Sequence, residues 1–281
     1  MTGKLRIVRI ESPLGGSESV SCVPDPRLQS FVEGDYRGYV ELDARPVVMR
    51  ETPSPIIPMI FNLGPPWRIS NAVAAPRRED SFLAGLDEHY TLVESAGASS
   101  CMQVDFTPLG ALRVLRRPLS EIANQVVSLP DIFGPGANIL IDRMREADWA
   151  QRIALLEEFL LHHFTETETV PGELSWAWMR LRKRHGQIPI ARLADETGWS
   201  HKRLIAGFRQ QFGLTPRRAG RVMRFGRATR LLRGAPTPRW AELAADCGYY
   251  DQAHLDRDFR AFAGVTPGEF IAGLLPVQRL P

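Results

Sequence analysis

Apolar positions along this chain change period once. Between Tyr36 and Phe106 they fall in short runs, Gly38-Tyr39-Val40-Glu41-Leu42, Ile56-Ile57-Pro58-Met59-Ile60-Phe61 and Cys101-Met102-Gln103-Val104-Asp105-Phe106, divided by Pro and Gly. Short β-branched and aromatic runs broken by turn residues predict a β-sandwich or small barrel. Beyond Pro118 the period lengthens: Ile139, Leu140, Met144, Ile153, Leu156, Phe159, Leu160 and Phe164 recur at helical spacing. Two or more amphipathic helices behind the β part follow from that spacing. The polar stretch 165–172, closed by Pro171-Gly172, predicts a linker. The expected fold class is therefore α+β with two domains, a β-rich sandwich or barrel-like unit with trailing helices over 1–164 and an all-α unit over 173–275.

The all-α unit contains a segment written twice. Leu204, Phe208, Arg209, Gly213, Thr215 and Pro216 return as Leu255, Phe259, Arg260, Gly264, Thr266 and Pro267, a constant shift of 51 positions. Upstream, Ala194 with Gly198 and Ala244 with Gly248 repeat a small-residue spacing that suits a close helix crossing. A Gly just past a helix supplies the left-handed residue that turns the chain sharply. The pattern predicts a helix over 173–184, a helix-turn-helix over 190–212, a long helix over 217–233 and a second helix-turn-helix over 239–263. Ser200 and Asp251 suit the N-caps of the two recognition helices, and Pro238 the first turn of its helix. With Leu204 pointing inward, Phe208 and Gln211 fall on the core side, while Lys202, Ala206, Arg209 and Gln210 face away. In the second copy Leu255, Phe259 and Phe262 point inward, and Ala253, Arg257, Arg260 and Ala261 outward.

Charge changes sides at the linker. Residues 1–171 carry 16 Lys+Arg against 23 Asp+Glu, and residues 172–281 carry 19 against 9. The net values are −7 and +10, so the basic excess lies wholly with the duplicated motif. Such an excess attracts a polyanion through counterion release, and Arg, which dominates these cations, suits phosphate and guanine. Cys22, Cys101 and Cys247 are isolated, with no zinc spacing, and argue for a reducing compartment. No apolar run is long enough to span a membrane and no signal-peptide core is visible, so a soluble cytoplasmic protein is expected. His89 stands alone in the β region and the adjacent His162-His163 diverge on a helix, so neither a metal nor a cofactor site is expected. His162 and His163 read as surface or interface residues, Trp176 and Trp178 as packing, and Glu157-Glu158 as a solvated face.

The second copy runs Asp251-Gln252-Ala253-His254-Leu255-Asp256-Arg257-Asp258-Phe259-Arg260, then Gly264, Thr266 and Pro267. It resembles the signature of AraC/XylS-type transcriptional regulators, and the likeness covers 174–273. The resemblance implies a seven-helix unit whose two helix-turn-helix motifs, joined by a rigid helix, read adjacent major-groove segments. Carried over by position, it places base reading on Lys202, Ile205 and Ala206, and on Gln252, Asp256 and Arg257. Ile205 and Ala206 replace the polar or Arg side chains common in the family, which points either to contact with thymine methyls or to weak readout. Asp256 would accept from cytosine N4 or pair with an Arg. With the caps and the outward cations, the expected DNA-binding set is Ser200, Lys202, Arg203, Ile205, Ala206, Arg209, Asp251, Gln252, Asp256 and Arg257.

More loosely, Asn62-Leu63-Gly64-Pro65-Pro66, Ser81-Phe82-Leu83-Ala84-Gly85, Phe106–Leu112 and Pro118-Leu119-Ser120-Glu121-Ile122 resemble the sensor domains attached to such regulators. That domain, by resemblance, binds a small-molecule effector or pairs protomers. Double-stranded promoter DNA, RNA polymerase and an effector are the expected partners, with a homodimer through 138–164 in which Leu156 and Leu160 form the surface. Two rivals stand beside this reading. One is a DNA-repair alkyl-transfer enzyme with Cys22 or Cys101 as acceptor; the other is a DNA-binding protein whose β domain is purely structural.

Overall fold

The computed structural model describes residues 4–12, 15–41, 46–71, 76–164, 170–234 and 239–274. Its N-terminal part is two antiparallel sheets. The larger contains, in spatial order, β1 (Leu5–Ser12), β2 (Gly15–Cys22), β3 (Tyr36–Glu41), β10 (Ser99–Phe106), β5 (Ile57–Asn62), β8 (Phe82–Ala84) and β11 (Val126–Ser128). The smaller contains β4 (Val47–Glu51), β9 (Thr91–Ser95), β6 (Trp67–Asn71) and β7 (Arg77–Glu79). The expected β-rich unit is present, and it reaches past both ends of 36–106.

The central strand β5 shows how the layers are built. Successive side chains of a strand point to opposite faces. Ile57, Met59 and Phe61 enter the main core beneath the helices, while Ile60 joins Trp67, Ile69, Phe82, Val93 and Cys101 between the two sheets. Being covered on both faces, β5 reads as a continuous apolar run. By contrast β1 is an edge strand whose Ile7, Val8 and Ile10 are exposed, so burial imposes no alternation on it.

Behind the large sheet lie α1 (Pro108–Leu115), a 3-10 turn (Leu119–Glu121), α2 (Leu129–Phe133), α3 (Gly136–Glu146) and α4 (Trp149–His163). Asp148 caps α4, its carboxylate accepting from the Gln151 N–H while the Gln151 side chain accepts from the Asp148 N–H. Trp149 lies over Gly38 of β3, where any Cβ would strike the indole ring. Ile153, Leu156 and Leu160 then follow on the buried face of the same helix.

That placement corrects two expectations. Leu156 and Leu160 are each 0% exposed in the chain's own core, so they are not a free dimer surface; on that face the sheet has already claimed them. Glu157 is buried rather than solvated, because it shares the inward face of α4 with Leu156 and Leu160; Glu158 alone is exposed. Loss of water pushes the Glu157 carboxyl above the ordinary range, against a lowering hydrogen bond from the Asp25 backbone. His162 is exposed, and His163 is half-buried with Nδ1 2.9 Å from the Phe159 carbonyl.

The helical unit comprises α5 (Gly172–Lys183), α6 (Ile190–Thr197), α7 (His201–Phe212), α8 (Pro216–Gly234), α9 (Trp240–Asp246), α10 (Gln252–Ala263) and α11 (Pro267–Leu274). Residues 165–169 of the expected linker and Pro238 lie outside the described residues. One apolar core runs from the sheet through α5, α6 and α7 to Met223 of α8. A second, separate core joins Val222, Phe225, Ala228 and Leu232 of α8 to Leu243, Leu255, Phe259 and Phe262. The connecting helix thus contributes to both.

Candidate nucleic-acid interface

Each recognition helix begins on a capped end and stops on a left-handed glycine. Ser200 Oγ accepts from the Arg203 N–H at 3.2 Å, and the Asp251 carboxylate from the His254 N–H at 2.7 Å. Gly213 at φ 75° and Gly264 at φ 68° end α7 and α10. The turns before the helices use Gly198 and Gly248, at φ 69° and 75°. A Cβ on Gly198 would meet nothing within 4 Å, so Gly198 is required by its backbone angle and buried Ala194 takes the close-crossing role there, whereas a Cβ on Gly248 would fall 2.5 Å from the Gln187 side chain.

Side chains sort as the helical period requires. Leu204, Phe208, Leu255 and Phe259 are completely buried, and Phe212 and Phe262 extend the same stripes. Lys202, Arg203, Ala206, Arg209 and Gln210 are exposed on α7, with Ile205 half-buried. On α10, Gln252, Ala253, Arg257, Arg260 and Ala261 are exposed and Asp256 is half-buried. Ser200 and Asp251 are exposed at the N-terminal ends, where each helix presents its first N–H groups and the positive end of its dipole. Of the ten expected residues, Ser200 and Asp251 are the exposed N-caps, Ile205 and Asp256 are half-buried, and the other six are exposed in the first two to three turns of each helix.

Three features escaped the sequence reading. The Arg203 guanidinium lies 4.0 Å from the centroid of the Trp199 ring, which holds this cation against the turn. At the equivalent place before α10, Tyr250 is 93% exposed, a large aromatic beside the N-terminal end of the helix. In α10, Asp258 is 2% exposed and binds Arg221 of α8 at 2.6 Å. Its counterpart 51 positions earlier is Gly207, where Leu174 and Trp199 leave little room for a side chain. The duplication makes the first two findable by alignment of the copies; the third needed the partner helix.

The motifs are braced against each other. Gly186 and Gly220 touch backbone to backbone, Arg224 Nη1 donates to the Gly186 carbonyl at 2.8 Å, and Gln187 Nε2 donates to the Asp246 carbonyl at 3.0 Å. At 1.5 Å per residue the 19-residue α8 spans about 28 Å, on the scale of the ~34 Å of one DNA turn. Trp178 is buried against Phe208 and Phe212, whereas Trp176 is partly exposed beneath Arg180.

The cysteines are poorly placed for alkyl transfer. All three are buried, and desolvation raises each thiol, Cys101 to about 12 and Cys247 to about 11. A buried neutral thiol is a weak nucleophile. Among the described residues no cluster of His, Cys, Asp and Glu suits a metal, and no helix is long and apolar enough to cross a membrane.

Comparison with known proteins falls on both parts of the chain. Residues 193–273 match the family described as Helix-turn-helix domain, and residues 20–128 match a Domain of unknown function (DUF6597). No curated protein sequence matches the chain. Among solved structures, an apo variant of ToxT from Vibrio cholerae aligns over 86% of this chain and 98% of its own, at 10% identity and a TM-score of 0.51. ToxT of the same organism bound to (E)-4-(8-methylnaphthalen-1-yl)but-3-enoic acid aligns over 83% and 100%, at 10% identity and a TM-score of 0.50. At that identity the likeness is one of fold: a β-rich N-terminal part followed by two helix-turn-helix motifs.

Proposed function

We infer that this chain, which carries a helix-turn-helix domain of the AraC/XylS type, is a DNA-binding transcriptional regulator that reads two adjacent major-groove segments of promoter DNA. One observation carries the reading: two copies of one capped helix, 51 residues apart, bury a matched Leu and Phe, share an exposed Arg209/Arg260, and turn otherwise different side chains to solvent. Lys202 and Arg257 are suited to guanine, Gln252 to adenine, and half-buried Ile205 to a thymine methyl. Arg209 and Arg260, further along the helices, are placed for phosphate. Selection of bound DNA from a random library by the full chain, followed by footprinting, tests this. Two short blocks about one helical turn apart are expected; a folded protein that enriches no sequence would end the proposal.

The effector belongs to the same reading. A cleft of about 230 Å³ is lined by Val114, Leu115, Ile132 and Phe133, with Arg116, His162 and His163 at its side. The lining surface is mainly polar, and the Arg116 cation beside the few apolar side chains suits a carboxylic acid, the chemical class of the ligand in the ToxT complex. The naphthyl-butenoic acid itself is the first probe: it should raise Tm in wild type and not in Arg116→Ala, and equal shifts in both would remove the cleft from consideration. Contact with RNA polymerase and pairing of protomers complete this scheme, tested by transcription in vitro and by light scattering.

A further inference from the structure

The β-rich part touches both recognition helices at the same place, the glycine that ends each one. At α7, Ser120 Oγ donates to the Gln210 carbonyl at 2.7 Å, and Gly213 lies against Ala123 with no room for a side chain. At α10, Arg50 Nη1 donates to the Ala263 carbonyl at 2.5 Å, and a Cβ on Gly264 would fall 2.5 Å from the Tyr90 ring. Arg50 also lies 4.8 Å from the centroid of that ring, so the two side chains form one unit.

The contact to α10 comes from a stiffened loop. The Asp87 carboxylate accepts from the N–H groups of Glu88 and His89 and lies 2.9 Å from His89 Nδ1. From this knot Glu88 reaches Arg218 of α8 at 3.2 Å, and Tyr90 reaches Gly264. The two contacts differ in consequence. The first motif already shares its core with the sheet, so Ser120 adds little to its placement. The second motif has its own core and is otherwise joined through α8 and the Gln187 and Arg224 hydrogen bonds.

We propose that Arg50 with the loop Asp87–Tyr90 is a positioning strut that fixes the second recognition helix relative to the first and so sets the spacing between the two DNA blocks. The strut holds the C-terminal end of α10 and leaves Gln252, Asp256 and Arg257 clear. It therefore presents the helix rather than covering it. Arg50 lies in β4 of the small sheet and Tyr90 immediately precedes β9, and these two strands pair directly. Whatever shifts that sheet shifts α10.

The proposal rests on the DNA-binding reading, and its test has one arm that does not. Nitroxide labels at Arg143→Cys on α3 and Ala261→Cys on α10 occupy exposed positions, while the native thiols are buried. Pulsed electron resonance should give one narrow distance in the otherwise wild-type chain and a broadened or displaced one in Arg50→Ala/Tyr90→Ala. Glu88→Gln, which removes only the link to Arg218, should fall between them and serves if the double variant loses helix content. For DNA, inserting one base pair between the blocks should cost wild type about tenfold in affinity and the double variant less than about threefold. A folded variant that keeps the narrow distance, or the full insertion penalty, overturns the strut. If wild type binds no DNA, the regulator reading fails, and the distance measurement still decides whether the strut holds α10.

Discussion

Arg221→Met removes the partner of a buried carboxylate and leaves its surroundings in place. Asp258 is 2% exposed, and one of its oxygens is held by Arg221 at 2.6 Å. Breaking a buried pair from one side leaves an uncompensated charge, at a cost of about 3–5 kcal/mol. The reverse substitution is milder. The Arg221 side chain is 33% exposed, so in Asp258→Asn the guanidinium can turn to water while the amide oxygen still accepts; about 1–2 kcal/mol is expected. Asp258 lies on α10 between Leu255 and Phe259, both residues of the second core, so the loss is local. Hydrogen exchange of the α10 amides from Leu255 to Phe259 reads it, and a loss of 3–5 kcal/mol speeds exchange by roughly 10²–10⁴. The amides of α7, where Gly207 stands in the equivalent place, are the internal control. Combining Arg221→Met with Asp258→Asn should recover part of the loss, since the buried charge is gone. Equal effects of the two single substitutions, or equal acceleration in α7 and α10, would refute the account of a desolvated charge confined to one motif.

Arg257→Ala should cost about 1–3 kcal/mol and relax base preference at one position of the second block, whereas Arg209→Ala should weaken all sequences alike and lower the salt slope by about 1; quantitative footprinting at several salt concentrations separates the two. Iodoacetamide at neutral pH should leave Cys22, Cys101 and Cys247 unmodified in the folded chain and label all three in denaturant, by intact mass; rapid native labelling of Cys22 or Cys101 would revive the alkyl-transfer rival. Glu157 has its carboxyl raised by burial, so its contribution to stability is fully present below the ordinary carboxylate pKa and is lost as pH rises through the raised one. Glu157→Gln should flatten that part of the denaturation profile, and an unchanged slope would mean that Glu157 reaches water.

Much of this was legible because burial on one face writes a period into a chain. The helices over 136–163, expected only as two or more amphipathic helices beyond Pro118, and those over 172–263 each have a stripe that meets a neighbour and a rim that meets solvent. The edge strand β1 gave no such signal, because neither face of Ile7, Val8 and Ile10 is covered. Glu157 misled for a related reason: two adjacent acids look solvated, and only the orientation of α4 over the sheet puts one of them inside. The solvent-facing side chains of α7 and α10 were visible because outward residues follow once Leu204 and Leu255 are known to point in. Tertiary partners were not visible at all. Nothing local to Arg50 or Tyr90 announces a helix end more than 170 residues away.

The repeat itself shows why the two motifs are not equivalent. Identities between the copies fall where one helix-turn-helix needs them, at the apolar stripe and the terminal glycine. Differences fall on the exposed faces, as at Lys202 and Ala253 or Ala206 and Arg257, and where each copy meets the rest of the chain. Gly207 lets α7 pack against Leu174 and Trp199 within the core shared with the sheet, whereas the same register in α10 holds Asp258, turned to Arg221 of the connecting helix. The first motif is stabilised by a core that spans the sheet and helices; the second depends on a smaller core, one buried ion pair and the strut. Local opening free energy follows the buried contacts that an opening must break. The second motif should therefore open before the first. On the proposed DNA-binding reading, the fused motif would keep register on the DNA and the strutted one would supply the adjustable block.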